Sequence, residues 1–386
     1  MSLGQVFDPR HNALNAWRLL LAIEVILCHS WGVSGRVPGV APVNQLLVCV
    51  GVDGFFAISG FLITASWLNS PHPREYLAAR ALRILPGFYV CLLVTAFLIA
   101  PVGVAIQGGS AANLLMSGAP LEFVLKNSAV ALVAPDIGGT PHGVPVAGEW
   151  NGSLWSLIWE VLCYLIVAVL GIVGLASRRW VSPTILTAAV VGAMLMPPVI
   201  FGGGLTTQHE FDTGTALMFL AARTAIMFAA GACIYHWRDV IPARWSLVGV
   251  CVVIVGASSF LPDYRVVAAL PLAYALIVSG ALVRNKHLQL RTDLSYGLYI
   301  YAFPIQQLLA MSGLLALNPL VFFVVSVIAT LPLAALSWFM IEKPALSLKS
   351  RLKGRSAQRS SAHAGENRKP VANQTAQGPT QNRGAV

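Results

Sequence analysis

Charge is what this sequence has least of. Only 10% of its 386 residues are Asp, Glu, Lys or Arg, whereas soluble domains carry about a quarter. With 56% hydrophobic residues, that shortage excludes a soluble cytosolic enzyme and a disordered chain. Cysteine is sparse as well. The six present (Cys28, Cys49, Cys91, Cys163, Cys233 and Cys251) all lie within apolar stretches and form no CxxC pair. A disulfide framework and a zinc site are thereby excluded, and the thiols read as small buried hydrophobes. Acidic residues number 15 against 25 basic ones, a net charge of +10. Nucleic acid is not the implied partner, because the cations sit in short loops between apolar runs and in a C-terminal tail. That pattern orients a membrane protein.

What is present is a succession of apolar runs of about 20 residues, the length that crosses a bilayer as a helix. Ten are predicted, at roughly 14–33, 45–68, 84–105, 153–175, 183–201, 215–235, 245–261, 266–283, 294–313 and 319–341. The expected fold is therefore an all-α, polytopic transmembrane bundle occupying residues 1–344. The first run carries Arg18, Glu24 and His29 and reads as a retained span, not a cleaved leader. Assigning alternate loops to one side gathers 21 Lys and Arg there and leaves Arg36, Lys126 and Arg265 on the other. Both termini are therefore expected in the cytoplasm. Residues 106–152, rich in Gly and Pro, form a long outer segment that could shape a substrate site or cap the bundle. Residues 345–386 read as a disordered basic tail, with Lys349, Arg351, Lys353 and Arg355 on anionic headgroups.

Ionisable groups inside the spans are costly, at least about 2.5–3.5 kcal/mol each on insertion scales. Arg18, Glu24, His29, Asp53, Glu160 and Arg223 therefore need reasons. Arg18 and His29 are eleven residues apart, so they share one helix face and lie about 16 Å apart along it. Asp53 and Glu160 sit about 10 Å below the outer surface by helical rise, at the level of His29. A histidine tuned by carboxylates suits general-base catalysis; Glu24, on another face, reads as structural. At the opposite surface Arg80 and Arg83, at i and i+3, are neighbours on a helix and suit phosphate oxygens. Ser59 lacks the elbow of a serine hydrolase and reads as a packing residue.

At these residues the sequence resembles the acyltransferase 3 family of integral membrane acyltransferases. The shared strings run in order from Arg18 and His29 through GVDGFFAISGFLIT (Gly51 to Thr64), Arg80-Ala-Leu-Arg83 and SLWSLIWEVLCY (Ser153 to Tyr164). They continue with the Arg223 span, LSYGLYIYAFP (Leu294 to Pro304) and Ile341-Glu-Lys-Pro344. One departure stands out: many members have a histidine where this chain has Ala302. The resemblance implies transfer of an acyl group, commonly acetyl, from cytoplasmic acyl-CoA to a hydroxyl of an extracytoplasmic carbohydrate, in a bacterial inner membrane. Its motif residues map onto His29, Glu160, Arg18, Arg80 and Arg83; with Asp53 added from the depth argument, His29, Asp53 and Glu160 are the catalytic candidates, and Arg18, Arg80 and Arg83 the donor-binding ones. Arg223, Tyr299 and Trp155 are then candidates for contacting substrate. No resident cofactor or metal is implied, since a thioester is already activated; acyl-CoA serves as co-substrate. The alternative is a secondary transporter of a polar solute that uses His29, Asp53 and Glu160 as a proton relay.

Overall fold

A computed structural model describes residues 1–37, 39–196, 213–290 and 292–348. Among the described residues, ten helices of 14 residues or more lie in the ten apolar runs, the end of the run at 183–201 lying outside the described residues. They are α1 (Leu14–Val33), α2 (Ala41–Asn69), α3 (Pro73–Val94), α4 (Trp155–Ile172), α5 (Val181–Met194), α6 (Thr213–His236), α7 (Trp245–Ser258), α8 (Arg265–Leu282), α9 (Ser295–Met311) and α10 (Pro319–Ser337). Among the described residues there is no sheet, only the isolated bridges Ser2–Pro242 and Ile137–Thr140. The fold is all-α, as expected. Seven of the helices are long and apolar enough to cross a membrane. The other three are α5 and α7, each 14 residues or about 21 Å, and α9, 17 residues or about 26 Å. A hydrocarbon core is about 30 Å thick.

Two boundaries differ from expectation for identifiable reasons. α3 starts at Pro73, eleven residues before the predicted 84, because proline suits a first helical turn and the Arg74–Arg83 stretch simply extends the apolar helix. The last helix runs on to Leu348, past the expected start of the tail at 345; the rest of that tail lies outside the described residues. α3 and α10 each run directly into a widened π-turn, Thr95–Ile99 and Trp338–Glu342. Pro101 and Pro344 follow them, and a proline ring clashes with the carbonyl four residues earlier, here Phe97 and Met340. In both cases the widened turn holds that carbonyl.

α9 is the central element, with almost every side chain buried. Its polar residues reach outward to its neighbours. Tyr296 donates to the Ile84 carbonyl of α3 (2.9 Å), Tyr299 shares a hydrogen bond with Ser156 of α4 (2.5 Å), and Gln306 donates to the Ile26 carbonyl of α1 (3.0 Å). Away from water such groups must be satisfied by protein, so they fix where each neighbour sits. α2 and α6 make a different contact. A Cβ on Gly60 would overlap the Phe228 carbonyl, and one on Gly231 would overlap the Ala57 carbonyl. The two backbones touch, the close approach that small residues permit between membrane helices.

The segment between α3 and α4 re-enters the bundle. Trp150 is fully enclosed and donates to Thr140 Oγ1 (3.0 Å), and Asn151 donates to the Ile300 carbonyl at 2.8 Å. Gln307 donates to the Val146 and Glu149 carbonyls, each at 2.6 Å. Non-helical backbone is tolerated at depth only when protein covers it like this.

Replacing Gly231 with Leu forces α2 and α6 apart. A loss of about 1–3 kcal/mol and a lower melting temperature in detergent are expected. Gly192→Leu, at a position with open space around it, is expected to leave the melting temperature unchanged.

Candidate active site

The arginines predicted to grip phosphate are arranged differently from the expected i, i+3 pair. Arg18 of α1 meets Asp293 Oδ2 at 2.6 Å, and Arg83 of α3 bonds the same oxygen. Asp293 lies in the turn before α9 and also accepts from the Ser295 hydroxyl and backbone N–H. Burial opposes its charge, but the Arg18 and Arg83 guanidiniums outweigh that and hold its carboxyl well below the usual range. The folded-state value being lowered, its stabilisation is present above the ordinary 3.8 and is lost only as pH falls through the depressed value. Arg80 stands apart, between the Tyr76 and Tyr164 rings (5.9 and 5.8 Å to the centroids), with Nη2 at 3.5 Å from Ser66 Oγ.

Arg18 also lines a cleft of about 450 Å³ between α1, α2, α4 and α9. Glu160, Ser156 and Tyr299 line it too, together with Ser59. Glu160 accepts from the Tyr164 hydroxyl, so its carboxylate is oriented by the next turn of its own helix. With Tyr296, the cleft thus combines a cation, a carboxylate and four hydroxyl-bearing side chains within apolar walls. A larger cavity of about 640 Å³ among α2, α4, α5 and α6 has no acid, Lys or Arg in its lining, so it offers nothing to hold a charged donor.

His29 is buried against Phe303 of α9, ring centroids 5.0 Å apart and nearly perpendicular. Its Nδ1 is sealed and has no hydrogen-bond partner among the described residues. Neither Asp53 nor Glu160 bonds to it, and His29 does not line the Arg18 cleft. The stripe joining Arg18 to His29 along α1 passes through Ala22 and Ile26, which pack against Leu298 and Ala302 of α9. Along α1 these contacts lie between Arg18 and the imidazole. Ala302 is the position at which the resemblance led one to look for a histidine.

Asp53 belongs to a separate cluster, not to a His29 pair. Its Oδ1 accepts from Arg223 Nε (2.8 Å), and its Oδ2 accepts from Arg265 Nε (2.6 Å) and the Tyr264 hydroxyl (2.6 Å). Arg265, counted from sequence as a loop cation, is 1% exposed and donates further to Asp263 (2.9 Å). Arg223 lies over the Trp155 ring at 5.4 Å, so two expected substrate contacts are engaged with each other. The physical reason is pairing: one carboxylate in a low-dielectric interior takes the nearest guanidiniums. Glu24 packs against Gly51, where a Cβ would overlap its Oε2, and among the described residues neither of its buried oxygens has a hydrogen-bond partner.

Four residues went unnoticed in the sequence. Asp293 had a readable signal, an Asp-x-Ser capping pattern directly before an apolar run. Glu342 was quoted only as part of a string; it is 2% exposed and accepts from Ser337 Oγ (2.9 Å). Arg265 and Glu149 carried no local signal.

Residues 11–339 match the acyltransferase 3 family, described as an acyltransferase domain. The chain belongs to that family. It is an acyltransferase, and the transporter alternative is set aside. An O-acetyl transferase of Shigella phage Sf6 is 27% identical over 352 residues, covering 88% of this chain and 98% of that protein. Nodulation protein 10 of Rhizobium leguminosarum bv. viciae is 26% identical over 377 residues, covering 89% and 95%. No solved structure matches. The apolar helices make this acyltransferase a multi-pass membrane protein.

Replacing Asp53 with Ala leaves the buried Arg223 guanidinium without its carboxylate and Arg265 with Asp263 alone. A stability loss of about 3–5 kcal/mol is expected, visible as a fall in detergent melting temperature. A variant that melts like the wild type but turns over slowly would instead give Asp53 a chemical role.

Proposed function

We propose that this acyltransferase moves an acyl group, most simply acetyl, from cytoplasmic acyl-CoA to a hydroxyl of an extracytoplasmic carbohydrate. Exopolysaccharide, O-antigen and lipid-linked glycan are the acceptor types considered. The bacterial inner membrane is the setting, with both termini in the cytoplasm. The observation that carries the reading is the convergence of Arg18 and Arg83, from different helices, beside a cleft whose α1 wall leads toward His29. Two guanidiniums held side by side by one carboxylate are preorganised for phosphate oxygens. Arg80, one turn along α3, adds positive charge to the same end.

The chemistry follows from the residues. His29 accepts the proton of the acceptor hydroxyl as its oxygen attacks the thioester carbonyl. The C–S bond breaks, the proton passes to the departing thiolate, and an ester and free CoA result. Glu160, oriented by Tyr164, and the Ser156–Tyr299 pair bind the donor arm in the cleft. The Ala22/Ile26–Leu298/Ala302 layer lies between Arg18 and His29 along α1, so it must part for the thioester to cover the ~16 Å from Arg18 to the imidazole. Small residues on both sides keep that parting inexpensive.

Three variants check this. Arg18→Gln/Arg83→Gln removes two charge-assisted contacts to phosphate, and acetyl-CoA affinity in reconstituted vesicles is expected to fall roughly a hundredfold. Undiminished affinity would remove the phosphate grip. Ala302→Phe wedges the layer shut, so transfer is expected to stop while acetyl-CoA still binds. His29→Ala is expected to lower transfer about 10²–10⁴-fold with donor affinity retained, and full turnover in a folded His29→Ala protein would remove His29 from the chemistry.

A further inference from the structure

The re-entrant segment brings an unusual set of oxygens to the bundle end remote from Asp293. Gln307 spends its amide N–H groups on the Val146 and Glu149 carbonyls, which fixes the amide orientation and turns Oε1 away. Asn151 donates to the Ile300 carbonyl, which fixes its amide in the same way. Among the described residues the freed Gln307 Oε1 and Asn151 Oδ1 are sealed and have no hydrogen-bond partner, and the Ser153 hydroxyl is in the same state. Buried polar groups in folded proteins almost always find partners, so three such oxygens on the re-entrant segment and the helix it packs against call for donors from outside the chain.

Glu149 is the charged member of this set. A Cβ on Gly152 would lie 2.9 Å from Glu149 Oε1 and 2.9 Å from Phe303 Cε2. Glycine there leaves room for the Glu149 carboxyl on one side and for Phe303, the ring that carries His29, on the other. The residue is half-buried, so it can be approached from the loop side. Burial pushes its carboxyl above the usual range, as for a group awaiting a hydrogen-bond donor.

We propose that Glu149, with Asn151 Oδ1, Ser153 Oγ and Gln307 Oε1, forms the acceptor subsite and binds a neutral polyhydroxylated molecule through its hydroxyl protons. This rests on the acyl-transfer reading above and adds the residues that hold the acceptor. The two bundle ends are sorted by hydrogen-bonding sense. Guanidinium donors at Arg18 and Arg83 suit phosphate, which only accepts. Carbonyl and carboxylate acceptors in the re-entrant segment repel phosphate and suit hydroxyls. Glu149 orients the hydroxyl toward His29 across Phe303, and an acceptor lacking hydroxyls leaves these oxygens unpaired, which is the basis of discrimination.

The test uses the full chain in cells from which the gene has been deleted, so the natural acceptor is present whatever its identity. Cells carrying wild type, Glu149→Gln or Glu149→Ala are compared for alkali-labile acetyl esters on their glycans, and vesicles from the same cells are titrated with radiolabelled acetyl-CoA. Both variants are expected to lose about tenfold or more of the esters, the effect of removing a hydrogen bond to a charged group. Acetyl-CoA affinity, which also reports folding, is expected to stay within about twofold of wild type. Esters at the wild-type level in Glu149→Gln cells would overturn the proposal, and so would donor affinity falling in step with the esters. If wild-type vesicles leave acetyl-CoA unbound, the donor reading fails, and the glycan esters alone decide the acceptor site by the same criterion.

Discussion

One carboxylate organises the donor end of this protein. Asp293 binds Arg18 from the first helix and Arg83 from the third, and without it two partly buried guanidiniums would repel each other. Partial neutralisation lets both be present, while the mixed charge still leaves one cation in excess. Because Asp293 immediately precedes α9, the same contact sets the axial position of that helix. Everything α9 carries, from Tyr299 in the cleft to Phe303 beneath His29, inherits its height from this anchor.

α9 then acts as a polar pillar in an apolar bundle. Buried donors on α9 search out carbonyls on other elements, since none can be satisfied by lipid. Tyr296, Gln306 and Gln307 reach α3, α1 and the re-entrant segment respectively. The same rule governs the Asp53 cluster, which ties α2, α6 and α8 together through Arg223 and Arg265. Charges that look catalytic in one dimension are thus divided between two tasks. One cluster holds helices together, and the other lines a cleft.

Much of the fold was legible in the sequence because its signals are local. Apolar run length located all ten helices, and Leu14–Val33 matches its expected limits. The alignment of Arg18 with His29 followed from helical period alone. Pairing was not legible. Asp53 and His29 lie at similar depth, yet Asp53 faces Arg265, 212 residues away in the chain. Depth along a helix is a one-dimensional quantity, whereas partner choice depends on the rotation and neighbour order of several helices. Arg265 misled the loop count for the same reason: a cation at a helix start is indistinguishable from a surface one until its neighbours are known.

The sequence by itself determined a polytopic helical bundle, the family to which it belongs and the set of ionisable residues that had to be accounted for. Those follow from the cost of charge in hydrocarbon and from strings of adjacent residues. Only the tertiary structure decided that Arg18 joins Arg83 and not Arg80, that the small side chains of Ala22 and Ala302 stand between Arg18 and the imidazole, and that residues 149–153 return to the depth of Phe303. Each of those is a meeting of segments far apart in the chain, chosen by packing and hydrogen-bond satisfaction in three dimensions, and no local pattern encodes it.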